Sequence, residues 1–496
     1  KMNTISNRKS FADRSTWSSS ARDLQLWGEA SVFTLLDETV TFEGSEKLSQ
    51  ELVRPELDLQ KIQKRQKLAI SLASISGKIR HVIVEGRVLE KPTETQKLTE
   101  YCQSSSMTHS VMLGMVALCI FWIVLLIGTA IASQQEPSGL IKTGWLLFVA
   151  ISLSLSQFSS RAFKNTLQLS HALSGFQNLL RQFENLAFSP QALGSWPLLA
   201  KKTMSGELKK LDRWASFLSV EAHPIIYLVL NALTPWSAFF GVLLELERRS
   251  ISKTSSLTFE ELHELEIIGC LALSYKYRSK VFPQFSEVHE NLLQTEAAFH
   301  PLIDRKHVIQ NDFAFVGKKN LGLITGSNMS GKSTFLRTIG VNQTLALIGA
   351  PVFAKKWSSV LAAIESCIQV SDSLNDGFSY FYSEVLRLKN VLEECQKKKC
   401  LYLVDEIFKG TNNRERLIGS EALLTALSKT PSFGFVTTHD LELTTLEQKF
   451  PNVCNFHFRD EVKDGKMSFP YKIFNGPCTT TNALKIMAQE GLPVPV

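Results

Sequence analysis

The stretch of residues 321–334, LGLITGSNMSGKST, constrains the fold of this chain more than any other. Its first part is apolar, as in a buried strand, and the residues from Gly326 to Ser333 then fit the pattern G-x-x-x-x-G-K-S. Glycines let the backbone curl so that successive N–H groups point at an anion, and the helix that follows adds its positive N-terminal end. The apolar residues 335–348 supply that helix. The pattern therefore predicts a phosphate-binding loop, with Lys332 directed at the phosphates and the Ser333 hydroxyl at Mg²⁺.

Length and composition limit the number of domains, the class of protein and the kinds of partner. A chain of 496 residues predicts about three domains. With 44% hydrophobic and 20% charged residues, the composition is that of a folded protein and excludes disorder for most of the chain. The formal net charge of +7 permits an anionic partner, such as nucleic acid or lipid headgroups, without requiring one. The eight cysteines contain no C-x-x-C pair, which favours reduced thiols over a disulfide framework or a zinc site.

Two charge-free runs of residues indicate a membrane-embedded segment. Residues 111–132 hold 22 residues without a charge and are apolar on every side, whereas a buried helix of a soluble protein normally keeps a polar stripe. At ~1.5 Å per residue, such a helix crosses a hydrocarbon core of ~30 Å. The second run, residues 143–160, is thinned by serines and is slightly short, so it is either a second span or an interfacial helix. Together they predict a transmembrane helical hairpin within residues 109–160.

The charges around the hairpin predict its orientation. The linker between the two runs holds only Glu136 and Lys142, whereas cations flank the hairpin on both sides. This bias places both ends in the cytoplasm, where ATP is also found. We therefore expect a multi-pass protein of the inner (cytoplasmic) membrane with its phosphate-binding loop in the cytoplasm. The flanking cations are Arg87, Lys91, Lys97, Arg161 and Lys164.

A third charge-free run, residues 222–244, contains His223, Pro224, Asn231 and Pro235. A third span would place the phosphate-binding loop outside the cell. We therefore predict that this run is a helix buried in a soluble core.

These features divide the chain. Residues 1–20 are polar and Ser-rich, and we expect them to be flexible and to carry no cleavable secretory signal. Residues 21–108 and 161–299 read as two parts of an all-α core and lever domain, interrupted by the hairpin. In residues 300–496, short apolar runs alternate with helical stretches, which predicts an α/β domain with a largely parallel sheet.

Three further segments of the α/β region carry candidate chemistry. Asp405 and Glu406 directly follow the apolar strand 400–404. In ATPases with a phosphate-binding loop, the first acid at this position holds Mg²⁺ and the second polarises the attacking water. His439 follows another apolar strand, at the sheet edge where ligands gather, and it is a candidate for contacting the γ-phosphate or the attacking water. The polar loop 371–379 either completes a site across a dimer interface or is an ordinary solvated turn.

Five motifs in this region resemble, in order, those of the MutS mismatch-repair family. They are TGSNMSGKST, SDSLNDGFSYFYSE, LVDEIFKGTN, TTHD and the closing YKIFNGP with GLP, and they cover roughly residues 300–496. Gly44, Pro55, Asp58 and Arg65 with Gln66 also resemble the start of that family's helical core and lever domain. The resemblance implies an ABC-type P-loop ATPase domain at the C-terminus that works as a homodimer and holds each nucleotide between two subunits.

The resemblance also assigns roles. It implies ATP and Mg²⁺ as cofactors, catalysis by Glu406, His439 and Lys332, and Mg²⁺ ligation by Ser333 and Asp405. Ser379 would reach the partner's γ-phosphate, and Phe313 would stack on adenine. The implied nucleotide-binding residues are Phe313, Gly326, Ser327, Asn328, Met329, Ser330, Gly331, Lys332, Ser333 and Thr334.

The chain also departs from that family. We expect the N-terminal mismatch-reading domain, with its Phe-x-Glu wedge, to be absent, and we interpret the tripeptide Phe285-Ser286-Glu287 as an accidental match. The family's C-terminal dimerising helices would begin where this chain stops, at Val496. The hairpin replaces a DNA-gripping clamp, and a hairpin buried in hydrocarbon cannot grip DNA.

Three hypotheses follow. The first is a membrane-anchored MutS-like ATPase whose helices carry nucleotide-driven motion to the hairpin or to bound DNA, in a mismatch-repair or DNA-maintenance role. The second is an ATP-driven, transport-type ABC protein without DNA binding, which predicts about six spans and a Leu-Ser-Gly-Gly-Gln-like loop; the chain shows neither. The third is a soluble DNA-repair ATPase whose apolar runs are core.

Overall fold

The computed structural model describes residues 18–88, 95–103, 107–132, 139–163, 166–190, 194–219, 223–279, 281–286, 292–315, 317–368, 380–408, 411–463 and 466–478. The chain forms two compact units. The C-terminal unit consists of Lys1–Asp37, Glu46–Ser74 and Ile268–Val496. The helical unit consists of Glu38–Ser45 and Ile75–Ile267.

The regular structure of the described residues as far as Tyr277 is helical. Its helices are α1 (Ser19–Asp23), α2 (Val32–Leu36), α3 (Phe42–Val53), α4 (Leu59–Ala73), α5 (Ser76–Val88), α6 (Thr95–Gln103), α7 (His109–Ile131), α8 (Gly139–Phe163), α9 (Thr166–Ala187), α10 (Pro197–Ala200), α11 (Met204–Leu218), α12 (Pro224–Leu233), α13 (Trp236–Ser252) and α14 (Ser255–Tyr277).

Strands and helices alternate in the rest of the described chain. The elements are β1 (Gln284–Phe285), β2 (Leu293–Ala298), β3 (Asn311–Ala314), β4 (Leu321–Thr325), α15 (Lys332–Leu347), β5 (Lys356–Ser359), β6 (Ala363–Cys367), α16 (Tyr380–Lys397), β7 (Cys400–Val404), α17 (Asn413–Ser428), β8 (Phe433–Thr437), a 3-10 turn (Leu441–Thr445), α18 (Leu446–Lys449), β9 (Val453–Phe458), β10 (Glu461–Lys463), β11 (Lys466–Ser468) and β12 (Ile473–Asn475). A helical first part and a C-terminal α/β part are therefore confirmed.

Apolar packing and a few buried polar bonds hold the helical unit together. Glu266 on α14 is 4% exposed, and one of its carboxylate oxygens accepts the backbone N–H groups of Val40 and Thr41, each at 2.9 Å. Its other oxygen accepts the Thr41 hydroxyl. Buried charge is tolerated where such bonds replace water. The apolar core between α9 and α11 includes Phe176, Leu179, Leu180, Leu208, Leu211 and Ala215.

The two predicted membrane runs form α7 and α8, which pack on each other. Helix α7 is 23 residues long, enough in length and composition to cross a bilayer, and only 11% of its most apolar stretch is buried. Thr108 caps its N-terminus by accepting the Val111 N–H at 3.4 Å. The apolar part of α8, Gly139–Leu155, is shorter than a full span. Membrane insertion of this pair stays a prediction.

The prediction that residues 222–244 form a helix buried in a soluble core is wrong. The run is broken into α12 and α13, which meet at an angle of 92° around Thr234 and Pro235. Proline and the residue before it disfavour a continuous helix, which accounts for the break. Most apolar side chains of α12 are exposed, including Ile225 at 81% and Leu233 at 62%.

A six-stranded sheet organises the C-terminal unit. Its strand order is β12-β9-β4-β8-β7-β6, and every neighbouring pair is parallel except β12 with β9. Strands β4, β7 and β8 are buried along their whole length, as expected of central parallel strands covered on both faces. A second sheet has the order β1-β5-β2-β3, and β10 and β11 form a two-stranded ribbon.

Helix α1 is tied to the edge of the six-stranded sheet by Asp23, which is 1% exposed. One carboxylate oxygen accepts the Ser366 hydroxyl at 2.6 Å and the Ile368 N–H at 2.9 Å. The same oxygen accepts Arg387 of α16 at 2.5 Å. The start of the described chain therefore packs on the sheet edge at β6. It also fixes α16, the helix that follows the polar loop 371–379.

Candidate functional site

The predicted phosphate-binding loop leaves the middle of the sheet with a backbone that its glycines make possible. Strand β4 ends at Thr325, and α15 begins at Lys332 with Gly331 as its N-cap at φ 111°. Gly326 has φ 144°, and a β-carbon there would lie 2.3 Å from the carbonyl oxygen of Phe458. Both φ values lie outside the range of ordinary L-residues. The loop therefore has the curl that the sequence predicts.

Side chains of the loop hold this curl closed. The Lys332 ammonium donates to the carbonyl oxygens of Gly326 at 2.9 Å and Ser327 at 2.8 Å, and the residue is 4% exposed. The Ser330 hydroxyl donates to the Ser327 carbonyl at 2.8 Å. Met329 lies at the tip at φ 65°, with 82% of its surface exposed. The lysine is thus held within its own loop.

Strand register brings two further strand ends to the loop. In the parallel pairing of β4 with β8, Ile324 lies opposite Thr437, and the Thr438 N–H donates to the Ile324 carbonyl at 3.0 Å. In the pairing of β8 with β7, Val436 lies opposite Val404, directly before Asp405. The carboxyl ends of parallel strands lie at one edge, so the loop, the acidic pair and the TTHD segment converge there.

Thr437 links the two acidic residues, although no sequence pattern assigns it a role. Its hydroxyl donates to a carboxylate oxygen of Asp405 at 2.6 Å and accepts the backbone N–H of Glu406 at 2.9 Å. Thr437 is fully buried, and Glu406 has the left-handed φ of 52°. Such a backbone persists only where neighbours over-determine it, and the Thr437 bond is one such constraint.

His439 and Glu406 lie in direct contact. The Nε2 atom of His439 lies 3.0 Å from Oε1 of Glu406, and the two side chains are 39% and 21% exposed. The sequence predicts each residue as catalytic but gives no indication that they touch. At this distance they can share a proton or orient one another, while both remain open to solvent.

The turn after His439 is fixed from the opposite side by an ion pair that the sequence analysis missed. Arg416 of α17 donates two parallel bonds to Asp440, from Nε at 2.9 Å and from Nη2 at 2.7 Å. Asp440 is 8% exposed, and its hydrogen bond raises the pKa of Arg416. Two-point pairing of this kind fixes direction as well as distance. It therefore limits how far His439 can move.

This arrangement agrees with the comparison to known proteins. Residues 322–496 match the family model described as MutS domain V. Over these residues the chain is similar to the MutS family. A DNA mismatch repair protein MutS from Geobacillus thermodenitrificans (strain NG80-2) is 29% identical over 267 residues, covering 51% of this chain and 28% of that protein. The predicted family resemblance is therefore confirmed.

Other relatives give the same result. The MutS protein of Bacillus subtilis (strain 168) is 30% identical over 266 residues, covering 51% of this chain and 30% of its own length. That of Aquifex pyrophilus is 31% identical over 234 residues, covering 46% and 27%. The chain matches less than a third of the length of these relatives.

The buried position of Phe313, which precedes the residues matched by the family model, argues against the predicted adenine stacking. The residue is 5% exposed, and its ring packs edge-on against four other phenylalanine rings. A ring committed to the core has no free face for a base. Tyr471 is a better-placed aromatic, because it is 44% exposed and a β-carbon on Gly331 would lie 3.1 Å from its Cδ1 atom. The neighbours of Phe313 are Phe315, Phe335, Phe435 and Phe456.

The remaining predicted site residues divide into two groups. Asn328 is exposed at the loop tip, and Ser333 and Thr334 lie in the first turn of α15. Ser379 and the rest of the loop 371–379 lie outside the described residues. Their predicted role across a dimer interface stays a prediction.

Proposed function

We propose that the C-terminal unit binds and hydrolyses ATP. The observation that carries this proposal is the convergence, at one edge of a parallel sheet, of a glycine-curled loop, a threonine-held acidic pair and a histidine in contact with the second acid. Relatives are named as DNA mismatch repair protein MutS, and residues 322–496 match MutS domain V.

In this proposal the loop residues hold the triphosphate. The N-terminus of α15 and the N–H groups of residues 326–334 face an anion, as glycine-bounded loops do in other nucleotide-binding proteins. The Lys332 ammonium exchanges its bonds to the Gly326 and Ser327 carbonyls for bonds to phosphate oxygens. Tyr471, beside Gly331, is the aromatic available to the base.

The acidic residues act on the metal and on water. Ser333 and Asp405 would hold Mg²⁺, which when bound neutralises charge that develops on the phosphates. Oxygen donors of this kind suit that ion, and the Thr437 bond to one oxygen of Asp405 fixes the direction of the carboxylate. Glu406 orients the attacking water and accepts its proton, and His439 positions the Glu406 carboxylate.

The test of this assignment is the substitution Glu406→Gln in the purified full chain. The amide keeps the size of the side chain but cannot accept a proton, so ATP binding should stay within about twofold and turnover should fall by about 10²-fold or more. Asp440→Asn is a matched control at the same sheet edge, and its turnover should fall less. Turnover of Glu406→Gln equal to that of the original chain would remove Glu406 from the reaction.

We further propose that α7 and α8 anchor the protein in a membrane, with the ATPase region in the cytoplasm. The length of α7 and its low burial support this. Burying an apolar side chain stabilises a protein by about 1.5–3 kcal/mol, so a water-exposed α7 would forgo that gain at many positions. If the exposed side chains of α7 face lipid, they are removed from water without further protein contacts.

The DNA-linked role is proposed from the relatives alone, which are named as DNA mismatch repair proteins. We propose a dimeric, membrane-anchored MutS-like ATPase that couples nucleotide state to movement of its helical unit, with DNA as a candidate partner. The competing candidate is a membrane-side ATPase that binds no DNA, which the exposed apolar surface of α7 favours. The effect of DNA on ATP turnover separates the two.

A further inference from the structure

We propose that the short helix α12 is a third membrane-embedded element, which lies in the bilayer beside α7 and α8 without crossing it. The occupant of its exposed apolar face is lipid acyl chains. This inference rests on the proposed anchoring of α7 and α8, and the experiment below separates failure of the one from failure of the other.

The surface of α12 is apolar and uncovered. No Asp, Glu, Lys or Arg occurs from residue 223 to residue 244. A docking face for a protein is ordinarily bordered by polar and charged groups, so a stretch without charges favours lipid. The exposed apolar side chains of α12 are Ile225 at 81%, Ile226 at 51%, Leu228 at 56%, Val229 at 46% and Leu233 at 62%.

The amide side chain of the helix is turned inward, and both its nitrogen and its oxygen are hydrogen-bonded. Asn231 is 1% exposed. Its Nδ2 atom donates to the Tyr227 carbonyl at 3.0 Å, and its Oδ1 atom accepts the Ser237 N–H at 3.0 Å. That second bond gives an acceptor to an N–H group in the first turn of α13, where the helix itself supplies none. A polar residue with these bonds costs little in hydrocarbon, where an unsatisfied one costs several kcal/mol.

Side chains of the hairpin satisfy the end of α12. The Ser152 hydroxyl on α8 donates to the Asn231 carbonyl at 2.7 Å, and Ser152 is 2% exposed. The Trp122 indole N–H on α7 donates to the Leu233 carbonyl at 3.0 Å. A helix C-terminus leaves carbonyls without partners, and at membrane depth protein groups must replace water. Both apolar helices of the hairpin supply such a group to α12.

The path of the chain supports an α12 that does not cross the bilayer. Its end is followed by the 92° bend, and the Trp236 indole N–H donates to the Phe217 carbonyl near the end of α11, so the chain just after α12 lies beside the end of the preceding helix. Helix α13 then runs back along α7, and Arg249 donates to the Met107 carbonyl next to the start of α7. The chain enters and leaves on the same side of the hairpin.

The depth of α12 in the bilayer follows from its contact with α7. Trp122 lies 13 residues after His109, which corresponds to roughly 20 Å along the helix axis at the usual rise per residue. This is well inside a hydrocarbon core of about 30 Å if the core begins at the start of α7. Helix α12 has only 10 residues, about 15 Å, which is half of what a span needs.

The experiment is photolabelling of the full chain in liposomes of phosphatidylcholine that carries a diazirine in its acyl chain, followed by peptide mapping. We expect lipid adducts on residues 113–131 and on residues 225–233, and none on the exposed Ile418 of α17, which is apolar but lies in the C-terminal unit. Adducts on α7 without adducts on α12 overturn this inference and leave the proposed anchoring intact. Adducts on neither helix overturn the anchoring itself.

A pair of charge variants keeps the inference falsifiable if labelling is weak. In Leu228→Asp, a charge placed among acyl chains should shift α12 out of the lipid, and labelling of residues 225–233 should fall at least fivefold while that of α7 is unchanged. Ile418→Asp, at a site with similar exposure, should leave both labelling patterns unchanged. Equal labelling of residues 225–233 in Leu228→Asp, or cross-links from α12 to a second protein chain in place of lipid, would contradict the proposal.

Discussion

At the scale of single residues, Thr437 connects the parts of the candidate site. One buried hydroxyl fixes the carboxylate of Asp405 and the left-handed backbone at Glu406. Losing a buried hydrogen bond costs about 1–3 kcal/mol, so a change here should be felt by both acids at once. Thr437 contacts neither phosphate nor water in this account and acts as a positioning residue.

The substitution Thr437→Val tests this role. Valine keeps the shape of the side chain but removes the hydroxyl, so we expect the turnover number to fall by about 10- to 100-fold while the dissociation constant for ATP changes by less than threefold. Thr437→Ser keeps the hydroxyl and should recover most of the turnover. A role in stability alone would lower the melting temperature of the valine variant and leave the turnover of the folded fraction unchanged.

The residue scale also shows what sequence could and could not predict about the site. The spacing in the loop predicts the positive-φ positions Gly326 and Gly331, because only glycine adopts them without strain. Contacts between segments far apart in the chain, such as His439 with Glu406 and Arg416 with Asp440, depend on strand order and helix packing. No local pattern encodes them. The burial of Phe313 is also not encoded locally, because an aromatic residue looks the same in sequence whether its ring faces a ligand or a core.

At the scale of elements, the apolar helices show where periodicity is informative. The predicted run 111–132 agrees with α7 to within two residues, since an apolar stretch of that length has few alternatives. The prediction for residues 222–244 is wrong because hydropathy does not distinguish a helix buried in protein from one that is exposed. The 92° bend and the exposure of Ile225 are tertiary facts. A charge-free composition is also typical of a segment that faces lipid, whereas the prediction of a soluble core helix depends on the topology, because a third span would place the phosphate-binding loop outside the cell.

Helix α7 should hold the protein in membranes. Membranes from cells expressing the full chain should retain it through washes at high salt and at alkaline pH in carbonate, because an embedded helix is held by apolar burial and not by charge. Introducing aspartate at the exposed positions Ile120 and Val124 should release the protein, since a charge near the middle of a span costs about 2.5–3.5 kcal/mol. Release of the original chain by carbonate would support the soluble ATPase hypothesis instead.

At the scale of the whole molecule, the question is which partner the ATPase serves. The ATP turnover of the detergent-solubilised protein, measured with and without duplex DNA at several salt concentrations, distinguishes the candidates. A DNA-linked role predicts stimulation that declines as salt rises, because phosphate contacts release counterions. Turnover that is indifferent to DNA at every salt concentration would contradict that role and favour a membrane-side partner.

Every proposal about catalysis depends on a nucleotide bound where β4 meets α15. The most direct measurement is a calorimetric titration of the purified full chain with ATP and Mg²⁺, alongside Lys332→Ala. We predict saturable binding of one nucleotide per chain, weakened at least tenfold in the variant, a loss of about 1.4 kcal/mol. A folded protein that binds no nucleotide at millimolar ATP, or a variant that binds as tightly as the original chain, would contradict this account.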